Sequence, residues 1–147
     1  MRCFLLEEKQ TDLDLFDLLN RKHIMLDKTI EEKWNEMNSI HLSNLEWTII
    51  ERLKNGQQTI SELCQTANIT RQGMHKLIKK LEEQKLVVSG QIETNRRMKY
   101  VDLTDFGVEC HEMNKVLKIK LEDQIKNTIG VEVFYQLKKV LAEDWGL

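Results

Sequence analysis

Proline is absent from the 147 residues, and glycine occurs only six times. With so few breakers between runs of Leu, Lys, Glu and Ile, the chain is expected to be mainly helical. Cysteine is scarce too: Cys3, Cys64 and Cys110 are odd in number and far apart, which excludes a disulfide framework and leaves free thiols. No apolar run approaches the roughly 18 residues of a membrane span. The opening MRCFLLEEKQ meets acidic residues too soon to carry a signal-peptide core. A cytoplasmic protein with no membrane partner is expected. Glycine-rich phosphate loops and nucleophile motifs are missing, and His23, His41, Cys110, His111 and Glu112 are scattered rather than set at metal-ligand spacing. Neither an enzyme nor a cofactor is expected.

What is there is an ordinary folding composition, 41% hydrophobic and 31% charged, long enough for one compact domain over residues 1–147. The charge is divided unevenly. From Thr70 to Lys99 eight cations face three anions, or +5, while the remainder holds 14 cations and 21 anions, or -7, giving the net -2. An acidic body with a basic block is the footprint of a local polyanion site.

Thr11 or Asp12 offers a cap for a first helix over about 12–38, with Leu15, Leu19, Leu26, Ile30, Trp34 and Met37 on one face. Ser43 and Glu46 have capping-box spacing before the apolar face Leu45, Ile49, Ile50 and Leu53. Thr59 and Glu62 repeat that spacing and open a short helix to about Ala67. Thr70 caps the next, to about Gln84, with Met74, Leu77, Ile78 and Leu81 inward. The period then shortens: Leu86–Ile92 and Lys99–Leu103 read as a hairpin around a polar turn. After Thr104 and Asp105, a helix to about Thr128 is expected to bury Phe106, Cys110, Met113, Leu117 and Leu121; Gly130 breaks it before a last helix with Phe134, Leu137 and Leu141.

Residues 59–103 thus read as a helix-turn-helix followed by a two-stranded wing. In such a unit the second helix enters the major groove of double-stranded DNA. Its outward residues are Arg71, Gln72, His75, Lys76, Lys79 and Lys80. Arg71 suits guanine and Gln72 adenine in bidentate fashion; Thr70, His75 and Lys76 are candidates for bases or phosphates. Lys79 and Lys80, a turn deeper, are expected to clamp the backbone. Gly73 is expected to leave room for close approach. A winged-helix module that binds protein instead would need an apolar or acidic groove where these cations stand.

The blocks LSNLEWTIIERL, TISELCQTANITRQGMHKLIKKLEEQKLV and NRRMKYVDLTDFG, in that order and spacing, resemble the MarR family of winged-helix transcriptional regulators. The resemblance covers essentially the whole chain. It implies a winged helix-turn-helix lobe over 43–103, flanked by dimerisation helices over 12–38 and 104–147. It also implies a homodimer on a pseudo-palindromic operator, most often repressing, with Arg97 at the minor groove beside Asn95 and Arg96. Two residues depart from the family pattern. Asn95 replaces the usual Asp, which predicts a wing arginine without a carboxylate to lock it. Lys85 replaces a common Gly, which predicts a less sharply turned end to the recognition helix.

One recognition helix seldom supplies enough specificity, so two half-sites and a dimer are expected. Leu15, Phe16 and Leu19 at one end, with Leu117, Leu121, Phe134, Leu137 and Leu141 at the other, offer the apolar surface for it. The resemblance also implies a small-molecule effector between the dimerisation helices and the DNA-binding lobe, where Trp34, Trp47 and Met37 are candidates to line a pocket. A thiol-redox-sensing regulator is the alternative; Cys3 lies well before the main first helix, and Cys64 and Cys110 fall on apolar faces.

Overall fold

Polar side chains that satisfy orphan amide donors set the helix starts. The computed structural model describes residues 12–147; Thr11 and Cys3 lie outside the described residues. Helix α1 (Leu15–Met37) is capped by Asp14, whose carboxylate accepts from the Asp17 amide. Ser43 and Glu46 form the reciprocal box that opens α2 (Asn44–Leu53), and Thr59 with Glu62 does the same for α3 (Ile60–Ala67). Thr70 caps α4 (Arg71–Glu83) and Thr104 caps α5 (Asp105–Ile129). Gly130, at φ +94°, turns the chain into α6 (Val131–Ala142).

The expected hairpin is present as β2 (Val87–Ile92) and β3 (Asn95–Leu103). A third strand was not foreseen. β1 (Gln58–Thr59) pairs antiparallel with β3, Gln58 opposite Val101 and Thr59 opposite Tyr100, so the sheet order is β1-β3-β2. The β2–β3 register is regular from Val87–Leu103 to Gln91–Lys99 and then jumps, setting Ile92 opposite Asn95. Residues 96–98 therefore bulge at the wing tip.

The core lies between α2, α3, α4 and the base of the sheet, closed by the second half of α1 and by α5. Ile49, Ile50, Leu63, Met74, Leu81, Leu86 and Val101 are among its fully buried members. Trp34 and Trp47 meet edge to face with ring centroids 4.7 Å apart, and the Trp34 indole N–H donates to the Ile40 carbonyl at 2.8 Å. Leu45, expected inside, is exposed, while Glu46 and Trp47 beside it are buried. The phase of α5 also differs from expectation: Gly107, Cys110, Asn114 and Leu117 are buried, whereas Phe106 and Met113 face out. Gly107 sets that phase. A Cβ there would lie 2.1 Å from the Leu86 carbonyl oxygen, so only glycine lets the helix start so close to the end of α4.

The end of α4 is as sharply turned as a glycine would make it. Lys85 takes φ +62°, and the amides of Lys85 and Leu86 bond back to the carbonyls of Glu82 and Leu81, both at 2.9 Å. This is a Schellman closure carried by a lysine.

The terminal helices divide the expected dimerisation set. Leu117 and Phe134 are buried within the chain, and Leu121 is half-buried against its core, so these three first serve the fold itself. Leu15, Phe16, Leu19, Leu137 and Leu141 are exposed, Phe16 by 81%.

Candidate nucleic-acid interface

The turn between α3 and α4 follows from one residue that tolerates left-handed backbone. Asn68 ends α3 at φ 52°, its amide bonded to the Cys64 carbonyl, and Thr70 restarts the helix by accepting from the Gly73 amide at 3.1 Å. Gly73 does not open the outer surface as expected. It faces the turn, where a Cβ would meet Ile69 Cγ2 at 3.0 Å and Thr70 Oγ1 at 3.1 Å.

Met74, Ile78 and Leu81 seat α4 on the core, with Leu77 half-buried. The opposite face carries Arg71, Gln72, His75, Lys76, Lys79 and Lys80, all exposed, as is Thr70 at the cap. No acidic residue occupies the first turn of α4, so the positive end of the helix dipole stands uncompensated beside Arg71. Neither Arg71, Lys76 nor Lys79 has an ion-pair partner among the described residues; Lys80 does, bonding Glu46 of α2 at 2.5 Å.

In the wing, Asn95 Oδ1 accepts from the Arg97 amide at 3.1 Å. The Asn95 side chain thus orders the backbone at Arg97. Arg97 and Lys99 are exposed, and Arg96 lies in the same bulge. At the other end of the hairpin, Thr104 Oγ1 donates to the Lys85 carbonyl at 2.7 Å. That bond ties the wing base to the end of α4.

Between α1, α2 and α5 runs a cleft of about 720 Å³, bordered by His23, Asp27, Trp47, Arg52, Asn114 and Lys118. Trp47 Nε1 and Asn114 Oδ1 are buried there without a hydrogen-bond partner among the described residues. Of the three residues expected to line such a pocket, only Trp47 does so. Trp34 is in the core, and Met37 borders a smaller hollow beside Leu117 and Leu121. On the far side of Asn114, His111 of α5 bonds Glu51 of α2 at 2.6 Å, and Lys54 reaches the same carboxylate. Burial pushes the Glu51 carboxyl up, but the bonds and charges of Lys54 and His111 outweigh it and hold the group below its ordinary value. Sequence reading missed Glu51 and Asn114 and gave Glu46 a capping role alone; all three sit at polar positions of amphipathic helices and look solvent-facing until α4 or α5 is placed against them.

The cysteines within the described residues offer little to an oxidant. Cys110 is buried, and burial first, then the neighbouring Glu109, pushes its thiol up. Cys64 is half-buried against the core.

Comparison with known proteins gives a consistent result. Residues 42–107 match the family described as a winged helix DNA-binding domain. The HTH-type transcriptional regulator FarR of Neisseria gonorrhoeae is 29% identical over 108 residues, 73% of this chain and 74% of that protein. Among solved structures, MepR, a transcription regulator of the Staphylococcus aureus multidrug efflux pump MepA, superposes with a TM-score of 0.73 at 17% identity, over 88% of this chain and 94% of that one. The transcriptional regulator BldR of Sulfolobus solfataricus gives 0.65 at 21% identity, over 93% and 96%. Among the described residues, no helix is long and apolar enough to cross a membrane. With its helix pair, its wing and its flanking helices in this order along the chain, the protein carries a winged helix DNA-binding domain over residues 42–107 and is similar in fold to these transcriptional regulators.

Proposed function

We propose that this chain is a cytoplasmic repressor that binds a pseudo-palindromic duplex as a homodimer and releases it when a small molecule fills the cleft between α1, α2 and α5. One observation carries the DNA reading: α4 buries Met74, Ile78 and Leu81 and presents Arg71, Gln72, His75 and Lys76 on an exposed face whose first turn holds no carboxylate. MepR, which shares the fold, is known in complex with DNA. In this reading Thr70, Arg71, Gln72, His75 and Lys76 meet base edges, Lys79 meets phosphate, and Asn95, Arg96 and Arg97 bring the wing to the minor groove. The exposed Leu15, Phe16, Leu19, Leu137 and Leu141 supply the surface on which a second copy packs. A protein-binding winged helix would not gain from an outer face so rich in cations.

The effector reading rests on the cleft's chemistry. A cleft of about 720 Å³ ringed by His23, Asp27, Arg52 and Lys118 suits a small polar molecule with both acceptor and donor groups. Its position between the flanking helices and the DNA-reading lobe lets occupancy favour one arrangement of the two copies over another.

The test is selection from random duplexes with the purified protein, followed by affinity measurements on the winner and a scrambled control across a salt series. A palindromic winner bound at least about a thousandfold more tightly than the control is expected. Salt-sensitive binding without a preferred sequence would overturn the regulator, and no duplex binding would favour the protein-interaction module.

A further inference from the structure

Glu46 is a buried carboxylate, 4% exposed, in the first turn of α2. Its two oxygens serve two elements. Oε2 accepts from the Ser43 amide at 2.8 Å, closing the capping box, and Oε1 holds Lys80 Nζ at 2.5 Å. One side chain therefore pins the start of α2 to the last turn of α4. Lys80 is half-exposed and lies on the helix that carries the DNA-facing cations, yet its charge is already matched within the chain. Moving its ammonium to a phosphate would strand a buried carboxylate, which is far more costly than losing a surface ion pair.

We propose that Glu46 is a positioning residue that sets sequence discrimination: by retaining Lys80 it fixes the rotation of α4 about its own axis and withholds one cation from the DNA backbone. The proposal rests on α4 being the DNA-reading helix. Fixed rotation keeps Arg71 and Gln72 aimed at base edges, and the withheld cation lowers the sequence-blind part of the affinity.

The experiment uses the full chain and three substitutions, Lys79→Gln, Lys80→Gln and Glu46→Gln. Each is measured on the selected duplex and on a scrambled one over a salt series. Lys79→Gln should reduce the salt slope by about one unit, whereas Lys80→Gln should leave the slope unchanged. Glu46→Gln keeps an oxygen for the Ser43 amide but frees Lys80. It should steepen the slope on the scrambled duplex by about one unit and lower the specific-to-scrambled ratio about tenfold. Adding Lys80→Gln to Glu46→Gln should return the slope to that of the parent while the ratio stays low, a separation that simple loss of stability does not produce. A slope reduced by about one unit in Lys80→Gln alone would make Lys80 a phosphate contact and overturn the proposal. So would an unchanged ratio and slope in Glu46→Gln. If Glu46→Gln fails to fold by circular dichroism, the paired slopes of Lys79→Gln and Lys80→Gln, both exposed positions, decide the matter. A parent that binds no duplex would overturn the DNA-reading helix and this proposal together; a parent that binds while the variants behave identically overturns only the role of Glu46.

Discussion

Lys85 holds φ +62°, a conformation that costs an L-residue with a Cβ about 1–2 kcal/mol. Its amide and that of Leu86 close the end of α4, so the cost is offset by satisfied carbonyls rather than avoided. Lys85→Gly should therefore stabilise the protein by about 1 kcal/mol, read as a higher urea midpoint at unchanged m-value. A lower midpoint would mean that the lysine side chain contributes more than its backbone costs. The sequence suggested the opposite structure here, a blunter helix end. Residue preference alone misled: Leu86 must enter the core, and its burial imposes the turn whatever residue precedes it.

At the scale of elements, α4 and its turn were readable because capping residues and apolar spacing agree. Thr70, Met74, Ile78 and Leu81 each take the place their spacing implies. The same holds for the boxes at Ser43 and Thr59. Where two elements meet, the sequence was silent. Two-residue β1 has no period to read, and the buried face of α5 depends on how closely Gly107 approaches Leu86, a tertiary fact. Glu46 looked like a capping residue only; its second oxygen has a partner 34 positions later in the chain. Asn95 illustrates the same limit, since its bond to the Arg97 amide depends on the wing's bulged register. For α4 itself, the expected consequence is sharp. Arg71→Ala should cost about 1–3 kcal/mol on the selected duplex and relax preference at one base position per half-site, while scrambled DNA loses much less. Equal losses on both duplexes would reassign Arg71 to the phosphates.

For the whole molecule, the question is how the DNA-reading lobe is joined to the long helices. The Glu51–His111 bond spans α2 and α5, with Lys54 on the same carboxylate. Glu51 titrates below its ordinary value of 4.5 in the folded chain, so its ionised form favours folding. That contribution is fully present above pH 4.5 and is lost as pH falls through the lowered value. Glu51→Gln should accordingly flatten the acid side of a melting-temperature profile and leave the decline at alkaline pH as it was. A parallel profile would show that the carboxylate contributes nothing to folding. The exposed apolar residues of α6 carry the other expectation. In the proposed homodimer, Leu137→Glu should raise the dissociation constant by about thirtyfold or more, seen as a lower mass in light scattering with helical content retained. An unaltered dimer would remove α6 from the interface. Leu121, half-buried in the chain's own core, is the poorer probe, because a charge there would also damage the fold.

The meeting of Gly107 with the Leu86 carbonyl reaches beyond the start of one helix. A backbone oxygen filling the place of a missing Cβ, beside a threonine bonded to Lys85, leaves no slack between the end of α4, the root of the wing and the first turn of α5. Under the proposed function, these three would move as a single lever. Its short arm carries the exposed cations of α4 and its long arm is the 25-residue α5. In the proposed dimer, a ligand that alters the spacing of two such units would have to act at their pivots, at a contact of α1 and α6 with a second copy or at the contact of α2 with α5, and a small displacement there would be multiplied at the DNA.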